Sequence, residues 1–142
     1  MIKILVINTV RFKLNGISAV IKNYYRAMDK ENIKMDFLAI DDPSEEYQAF
    51  FEENNLNCFV QYKKNIVDYF KGIIKLCRQE KYDIVHIHGN SANMAIELLA
   101  VTFGGVKVKI THSHNTATMH PCMHKMLWPL FAKVVYSTVS LW

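Results

Sequence analysis

The stretch IKILVIN at residues 2–8 decides the fold class of this 142-residue chain. It is a short, nearly continuous apolar run rich in β-branched residues, which is typical of a strand buried on both faces of a parallel sheet. A polar segment follows as far as Gly16, and apolar residues then recur at helical spacing from Ile17 to Met28. The order of strand, loop and helix predicts the first half of a βαβ unit.

The same alternation of strands and helices continues along the rest of the chain. Four further strands are predicted, over Met35–Ile40, Cys58–Gln61, Tyr82–His88 and Val106–Thr111. A helix is predicted over His120–Val135, and Tyr136–Trp142 has the pattern of the start of a sixth strand. Strands that alternate with helices form parallel units with right-handed crossovers. We therefore predict one domain over residues 1–142, an α/β, Rossmann-like, doubly wound parallel sheet in three α/β/α layers.

Length and composition exclude several classes of protein. A (β/α)₈ barrel needs about 250 residues. Hydrophobic residues make up 51% of the chain and charged residues 21%, with only five glycines and three prolines, so the chain is neither disordered nor collagen-like. The 17 basic and 13 acidic residues give a net charge of +4. This mild excess permits contact with phosphates or an anionic membrane surface, and we expect no nucleic-acid partner.

The cysteines and the N-terminal segment indicate the cellular compartment in which the protein is expected. Cys58, Cys77 and Cys122 include no C-x-x-C pair, and their odd number argues against a disulfide framework. The first apolar run is too short for a signal peptide, and no stretch approaches the roughly 18 apolar residues of a membrane span. We therefore expect a reduced protein of the cytoplasm.

Ligands of an open parallel sheet bind outside the carboxyl ends of its strands. The loop after the first strand ends in Asn15 and Gly16, just before a helix N-terminus, where free N–H groups and the helix dipole favour a phosphate or carboxylate. The dinucleotide fingerprint G-x-G-x-x-G is absent. A single glycine there also suits an ordinary turn, so both interpretations stay open.

Two H-x-H pairs stand at the ends of the fourth and fifth strands, HIHG at residues 86–89 and HSHN at residues 112–115. Strand alternation places His86 and His88 on one face, and Gly89 permits a sharp exit and a close approach. If the first strand is central, the fourth and fifth strands are neighbours. Four histidines are then expected to meet near one crevice.

The residue types at this crevice support different chemistries. Imidazoles from neighbouring strands bind zinc, which activates water, so a zinc-dependent hydrolase is one hypothesis. Such a site normally also has a carboxylate or thiolate, but Asp83 lies at the wrong end of its strand and Cys122 lies in a helical segment, so we expect no metal. His86 is then a hydrogen-bonded structural residue. Histidines beside Asn, Ser and Thr also suit a polyhydroxylated, phosphorylated ligand.

Four segments together carry a resemblance to a known family: ILVIN at 4–8, NGIS at 15–18, YDIVHIHG at 82–89 and VKVKITHSHN at 106–115. In order and spacing they resemble the N-terminal domain of family 4 retaining glycosyltransferases, particularly bacterial enzymes that build capsular polysaccharide or exopolysaccharide. The resemblance implies one half of a GT-B fold, in which two Rossmann-like domains face each other across a cleft. The N-terminal domain mostly binds the acceptor, and the C-terminal domain, which is missing here, mostly binds the nucleotide-sugar.

The resemblance also implies roles for individual residues. The loop before the first helix approaches the donor phosphates and the transferred sugar, although family members commonly have two glycines where this chain has Asn15 and Gly16. One of the two histidines that follow the fifth strand matches the family's cleft histidine. The implied catalytic residues are His112 and His114, and the implied substrate-binding residues are Asn15, Gly16, His88, Gly89 and Asn115.

The expected activity and partners follow from the same resemblance. Transfer in this fold uses a UDP- or GDP-linked sugar as co-substrate, a glycan or lipid-linked acceptor, and no metal or other cofactor. Since the donor-binding groups lie in the C-terminal domain, we expect the complete enzyme to be a hexosyltransferase and this chain alone to be inactive. A non-catalytic, truncated binding module is the alternative.

Two segments have the composition of a membrane-contacting surface. Members of the family often contact the membrane surface without crossing it. Basic residues accompany the predicted helix after Asn65, and an apolar cluster over 123–131 lies beside Lys125 and Lys133. Both suit peripheral contact at the inner face of the plasma membrane. A solvated helix face explains the first equally well, and packing against the missing domain explains the second.

Overall fold

The computed structural model describes residues 1–90 and 94–114, together with residues 122, 125–126, 129 and 139–140. The strands are β1 (Ile2–Asn8), β2 (Ile33–Ala39), β3 (Cys58–Val60), β4 (Ile84–Gly89), β5 (Val108–Ser113) and β6 (Val139–Ser140). The helices are α1 (Gly16–Ala27), α2 (Glu45–Glu53), α3 (Ile66–Glu80) and α4 (Ala95–Phe103). Most of the helix predicted over 120–135 lies outside the described residues.

All the strand pairs are parallel, and the strand order is β3-β2-β1-β4-β5-β6. This confirms the Rossmann-like doubly wound sheet, with β1 central and β4 beside β5. The chain builds outward from β1 to β3 and then returns to place β4 on the other side of β1. The carboxyl ends of β1 and β4 therefore flank the switch point at which such sheets bind their ligands.

Helices cover both faces of the sheet, as the three-layer prediction requires. Side chains of β1 alternate between two apolar clusters. Leu5 and Ile7 pack with buried residues of α3 and α4, whereas Ile4 and Val6 pack with those of α1 and α2. None of the described helices is long and apolar enough to cross a bilayer.

Phe12 anchors the loop between β1 and α1 to the core. Its side chain is fully buried, and its ring meets those of Phe37 and Phe51 edge to face, with centroids 6.3 and 5.3 Å away. Its carbonyl accepts a 2.8 Å hydrogen bond from the backbone N–H of Ser44. The loop that leads into α1 is therefore held against the start of α2, which sets the position of the α1 N-terminus.

A buried carboxylate ties α4 to α3. Glu97 is fully buried, and its Oε1 accepts hydrogen bonds from the Tyr69 hydroxyl at 2.8 Å and the Lys63 ammonium at 2.6 Å. Burial, followed by the charge of Glu97, raises the pKa of Tyr69 far above its usual value. The other carboxylate oxygen, Oε2, has no hydrogen-bond partner among the described residues. Such an arrangement holds two helices in register only while the carboxylate is present.

Candidate functional site

Strands β1, β4 and β5 bring their polar residues together at the carboxyl edge of the sheet. The strand register aligns Asn8 with His88, and His88 with His112. Paired residues of adjacent strands point to the same face, which here is the face covered by α1. Asn8 is fully buried, and its Nδ2 donates to Ser18 Oγ at 3.2 Å. Asn8 is absent from the predicted site, although a polar residue ending a buried run is a usable signal.

The four histidines of the two H-x-H pairs meet as predicted, and we refer to His86, His88, His112 and His114 as the histidine cluster. The ring centroids are 4.0 Å apart within the first pair and 4.3 Å apart within the second. Across the strands, His88 lies 5.1 Å from His112, and its Nδ1 is 3.1 Å from His114 Nε2. The cluster is thus one connected group of imidazoles at the switch point.

The prediction that β5 ends at Thr111 was wrong by two residues. The strand continues to Ser113, because its residues go on pairing with β4 as far as Gly89. His112 therefore stands in the sheet rather than in a loop. Backbone hydrogen bonds also hold the strand ends, since the N–H of His114 donates to the Gly89 carbonyl at 3.0 Å.

Burial keeps part of the cluster uncharged. His88 has only 1% of its surface exposed, and desolvation, reinforced by neighbouring imidazolium charge, lowers its pKa to about 2. The same causes lower the pKa of His86 to about 4, and burial also lowers the pKa of His114. His86 and His88 are consequently neutral imidazoles at pH 7, each able to accept a hydrogen bond or a coordinate bond at one nitrogen.

His86, predicted as a hydrogen-bonded structural residue, lacks such a bond at one of its ring nitrogens among the described residues. Its Nε2 is buried and has no hydrogen-bond partner among the described residues, and the same holds for Nδ1 of His112. The reason lies in the surroundings, since the rings that face His86 are those of His88, His112 and Tyr24. Two imidazole nitrogens are thus buried without a partner in the described part of the chain, which natural structures rarely tolerate.

Tyr24 covers the cluster from α1 and is absent from the predicted site. Its ring centroid lies 6.4, 6.1 and 6.0 Å from those of His86, His88 and His112. The helical pattern places Tyr24 on the core face, yet 47% of its surface is exposed. An exposed aromatic ring beside polar groups offers a stacking surface to a ligand.

Asn15 caps α1. Its Oδ1 accepts from the backbone N–H of Ser18 at 2.9 Å, and its Nδ2 donates to the Arg11 carbonyl at 3.1 Å. Ser18 does not cap the helix, because its side chain is buried and its Oγ accepts a hydrogen bond from Asn8. The asparagine that replaces a family glycine therefore has a structural role at the start of the helix.

Gly16 and Gly89, the two glycines at this edge, differ in the space available for a side chain. A Cβ added to Gly89 would collide with Thr9 Oγ1 and lie 2.7 Å from Met94 Cγ, so protein atoms already occupy that space. A Cβ added to Gly16 would meet nothing within 4 Å. The glycine at position 89 is required by packing, whereas nothing in the described residues requires the one at position 16.

Two predicted features lie partly or wholly beyond the described residues. Asn115 is outside them, and so is most of the apolar cluster 123–131, in which Met126 is 72% exposed. The basic helix is α3, and three exposed cations, Lys71, Lys75 and Arg78, line a groove that also contains apolar side chains.

Solved structures share this fold. MurG of Acinetobacter baumannii superposes with a TM-score of 0.68 at 11% identity, covering 100% of this chain and 42% of MurG. Anabaena HepE in complex with UDP superposes with a TM-score of 0.62 at 11% identity, covering 94% of this chain and 35% of HepE. A putative UDP-N-acetylglucosamine 2-epimerase from Listeria monocytogenes superposes with a TM-score of 0.61 at 14% identity, covering 98% of this chain and 39% of the epimerase. At such identities the likeness shows the fold alone, and the chain spans less than half the length of each. No curated protein sequence is significantly similar to it.

One family model matches the sequence itself. It describes Glycosyltransferase Family 4, and it aligns with residues 14–140. The aligned part contains α1 with its capped N-terminus, the strands β4 and β5, and the whole histidine cluster. Because the match spans well over half of the sequence, the chain belongs to Glycosyltransferase Family 4.

Proposed function

We propose that this chain is the acceptor-side half of a retaining bacterial glycosyltransferase that assembles cell-surface polysaccharide such as capsule or exopolysaccharide. The enzyme would transfer a hexose from a UDP- or GDP-sugar to a glycan or lipid-linked acceptor on the cytoplasmic side of the membrane. One observation carries the proposal: in a Family 4 chain, the histidine cluster lies at the switch point, where Asn8, the strand neighbour of His88, donates a hydrogen bond to Ser18 in the first turn of α1.

The donor half would come from a second Rossmann-like domain. The chain covers only 42% of MurG and 35% of HepE, and the HepE structure contains UDP. A second domain placed across the carboxyl edge would complete a cleft between the two sheets. Helix dipoles and basic side chains of that domain would then stabilise the departing diphosphate. This arrangement assigns no metal to the transfer step.

The start of α1 would face the donor. The first N–H groups of a helix have no acceptor within the helix, and here they belong to Gly16 and Ile17, since Asn15 caps Ser18. Such groups, with the positive end of the helix dipole, favour a phosphate oxygen. The open space around Gly16 lets a ligand approach the backbone closely.

The histidine cluster would position the acceptor. His112 and His114 are partly exposed, so their rings would hydrogen-bond acceptor hydroxyls and hold them in position. His88 is buried beneath them and touches His114 Nε2, which makes it a positioning residue rather than a direct contact. Asn115 would add an amide to the acceptor side, as the family resemblance implies.

The outer face of α3 and α4 would contact the membrane. Phe103 is 61% exposed, and its ring meets that of Phe70 at 6.1 Å within the groove lined by Lys71, Lys75 and Arg78. Exposed rings beside several cations suit the headgroup region of an anionic bilayer.

Replacing Gly16 with alanine is expected to reduce sugar transfer without reducing stability. The added methyl meets no protein atom, but it would occupy the space through which a donor phosphate approaches. In the complete product of the reading frame that contains this chain, we expect kcat/KM for the nucleotide-sugar to fall at least about 10-fold, a cost of about 1.4 kcal/mol.

The control is Asn23→Ala, an exposed position on the same helix, which should retain full activity. The parent protein and the two variants should have the same Tm in thermal unfolding. A Gly16→Ala enzyme with unchanged kcat/KM would mean that this loop does not approach the donor.

A further inference from the structure

Two buried nitrogens of the histidine cluster have no hydrogen-bond partner within the described part of the chain. Nε2 of His86 and Nδ1 of His112 are both inaccessible to solvent and without a hydrogen bond among the described residues. Sugar binding at the edge of the sheet does not account for the nitrogen of His86, because His86 lies two residues further from the carboxyl end of β4 than His88. Buried imidazole nitrogens without partners indicate an unseen water or ion.

The spacing of ring nitrogens from three of the histidines fits a single ion better than separate waters. One nitrogen from each of His86, His88 and His112 lies within 4.8 Å of the other two. Ligands of tetrahedral zinc at about 2.0–2.1 Å are about 3.4 Å from one another. Small rotations of side chains whose strands are already paired in register would close that difference, because β4 and β5 hold the three residues in adjacent positions.

The surroundings supply the outer support that metal-bound histidines normally have. Nδ1 of His88 lies 3.1 Å from Nε2 of His114, so the tautomer with a proton on Nδ1 donates to His114 and leaves Nε2 free as a ligand. This outer contact orients the ring and sets its tautomer. Imidazole ligands without carboxylates suit borderline ions such as zinc rather than magnesium or calcium.

We propose that His86, His88 and His112 bind a divalent transition-metal ion, with Zn²⁺ as the expected ion and His114 as the outer partner of His88. Three protein ligands would leave the fourth tetrahedral position open, and the ring of Tyr24 lies about 6 Å from all three imidazoles. The sequence leads us to expect no metal here, because a carboxylate or thiolate was taken to be necessary, but three imidazoles form a sufficient set. The proposal does not depend on the proposed glycosyltransferase activity.

The test measures metal binding directly, with no sugar substrate. The 142-residue chain, carrying Cys122→Ser to remove an exposed thiol ligand, is stripped with a chelator and titrated with Zn²⁺ against a chromophoric competitor. We expect one ion per chain, and a four-coordinate, nitrogen-rich visible spectrum when Co²⁺ replaces zinc. The double variant His86→Gln/His112→Gln should weaken binding at least about 100-fold, and His114→Ala about 10- to 100-fold.

The other two histidines of the chain provide the matched control. His120→Gln/His124→Gln removes the same number of imidazoles and should leave the affinity for zinc unchanged. Substoichiometric binding by the parent chain, or an equal or larger loss in the control variant, would overturn the proposal. If the cluster variant does not fold, imidazole ¹⁵N chemical shifts of the parent chain test the proposal instead. Addition of zinc must then shift the signals of His86, His88 and His112 and leave those of His120 and His124 unchanged.

Discussion

Replacing Glu97 with alanine should lower the free energy of unfolding by about 3 kcal/mol, near the lower end of the cost of breaking a buried ion pair. The substitution removes the acceptor for both the Tyr69 hydroxyl and the Lys63 ammonium. Tyr69 is 1% exposed, so its hydroxyl would stay buried without a partner. Lys63 keeps 26% of its side chain exposed and can partly turn to water, which keeps the loss near that lower end.

Urea unfolding of the two proteins measures this loss. The matched control is Glu46→Ala, which breaks the ion pair between Lys22 and a glutamate side chain that is 43% exposed. Exposed pairs contribute about 0–1 kcal/mol, so the control should barely change stability. Equal losses in the two variants would show that the buried carboxylate does not hold α4 to α3.

Lowering the pH from 7 to 5 should destabilise the metal-free chain by up to about 2 kcal/mol for each of His86 and His88. Their pKa values in the folded chain are lowered to about 4 and about 2, against about 6.5 when unfolded. Below pH 6.5 the unfolded chain therefore binds protons that the folded chain does not. Stability is complete above that pH and is lost progressively as the pH falls toward the folded values.

Urea unfolding at a series of pH values, with chelator present, measures this dependence. Aspartate and glutamate titrate mainly below pH 5 in unfolded chains, so the interval from 7 to 5 isolates the histidines. His86→Gln should reduce the slope, because one of the imidazoles with a lowered pKa is gone. A free energy of unfolding that stays constant across this interval would show that the cluster is protonated within the fold.

The strands could be predicted because runs of apolar residues in the sequence indicate buried strands. A strand covered on both faces, such as β1 or β4, must be apolar almost throughout, and the alternation with helices then dictates a parallel order. Topology alone was enough to bring the two H-x-H pairs together. The end of β5 could not be placed, because it depends on how far its backbone goes on pairing with β4 beyond Thr111.

The parts of the site that were missed depend on contacts between distant elements. Helical periodicity assigns Tyr24 to a core face, but it cannot say that α1 crosses the sheet where β4 and β5 end in histidines. The environment of His86 likewise depends on which rings surround it. Glu97 gave a usable signal, since an acid inside a predominantly apolar helix has to find a partner when that helix is buried.

The most direct test of the account is transfer of labelled hexose from UDP- and GDP-sugars. It compares the complete product of the reading frame with the 142-residue chain alone, each incubated with a membrane extract as the source of acceptor. The account predicts acceptor-dependent transfer by the complete product from at least one donor, and none by the chain alone. A folded complete product that transfers from no donor, or one that only converts UDP-N-acetylglucosamine without an acceptor, would contradict it, and so would transfer by the 142 residues alone.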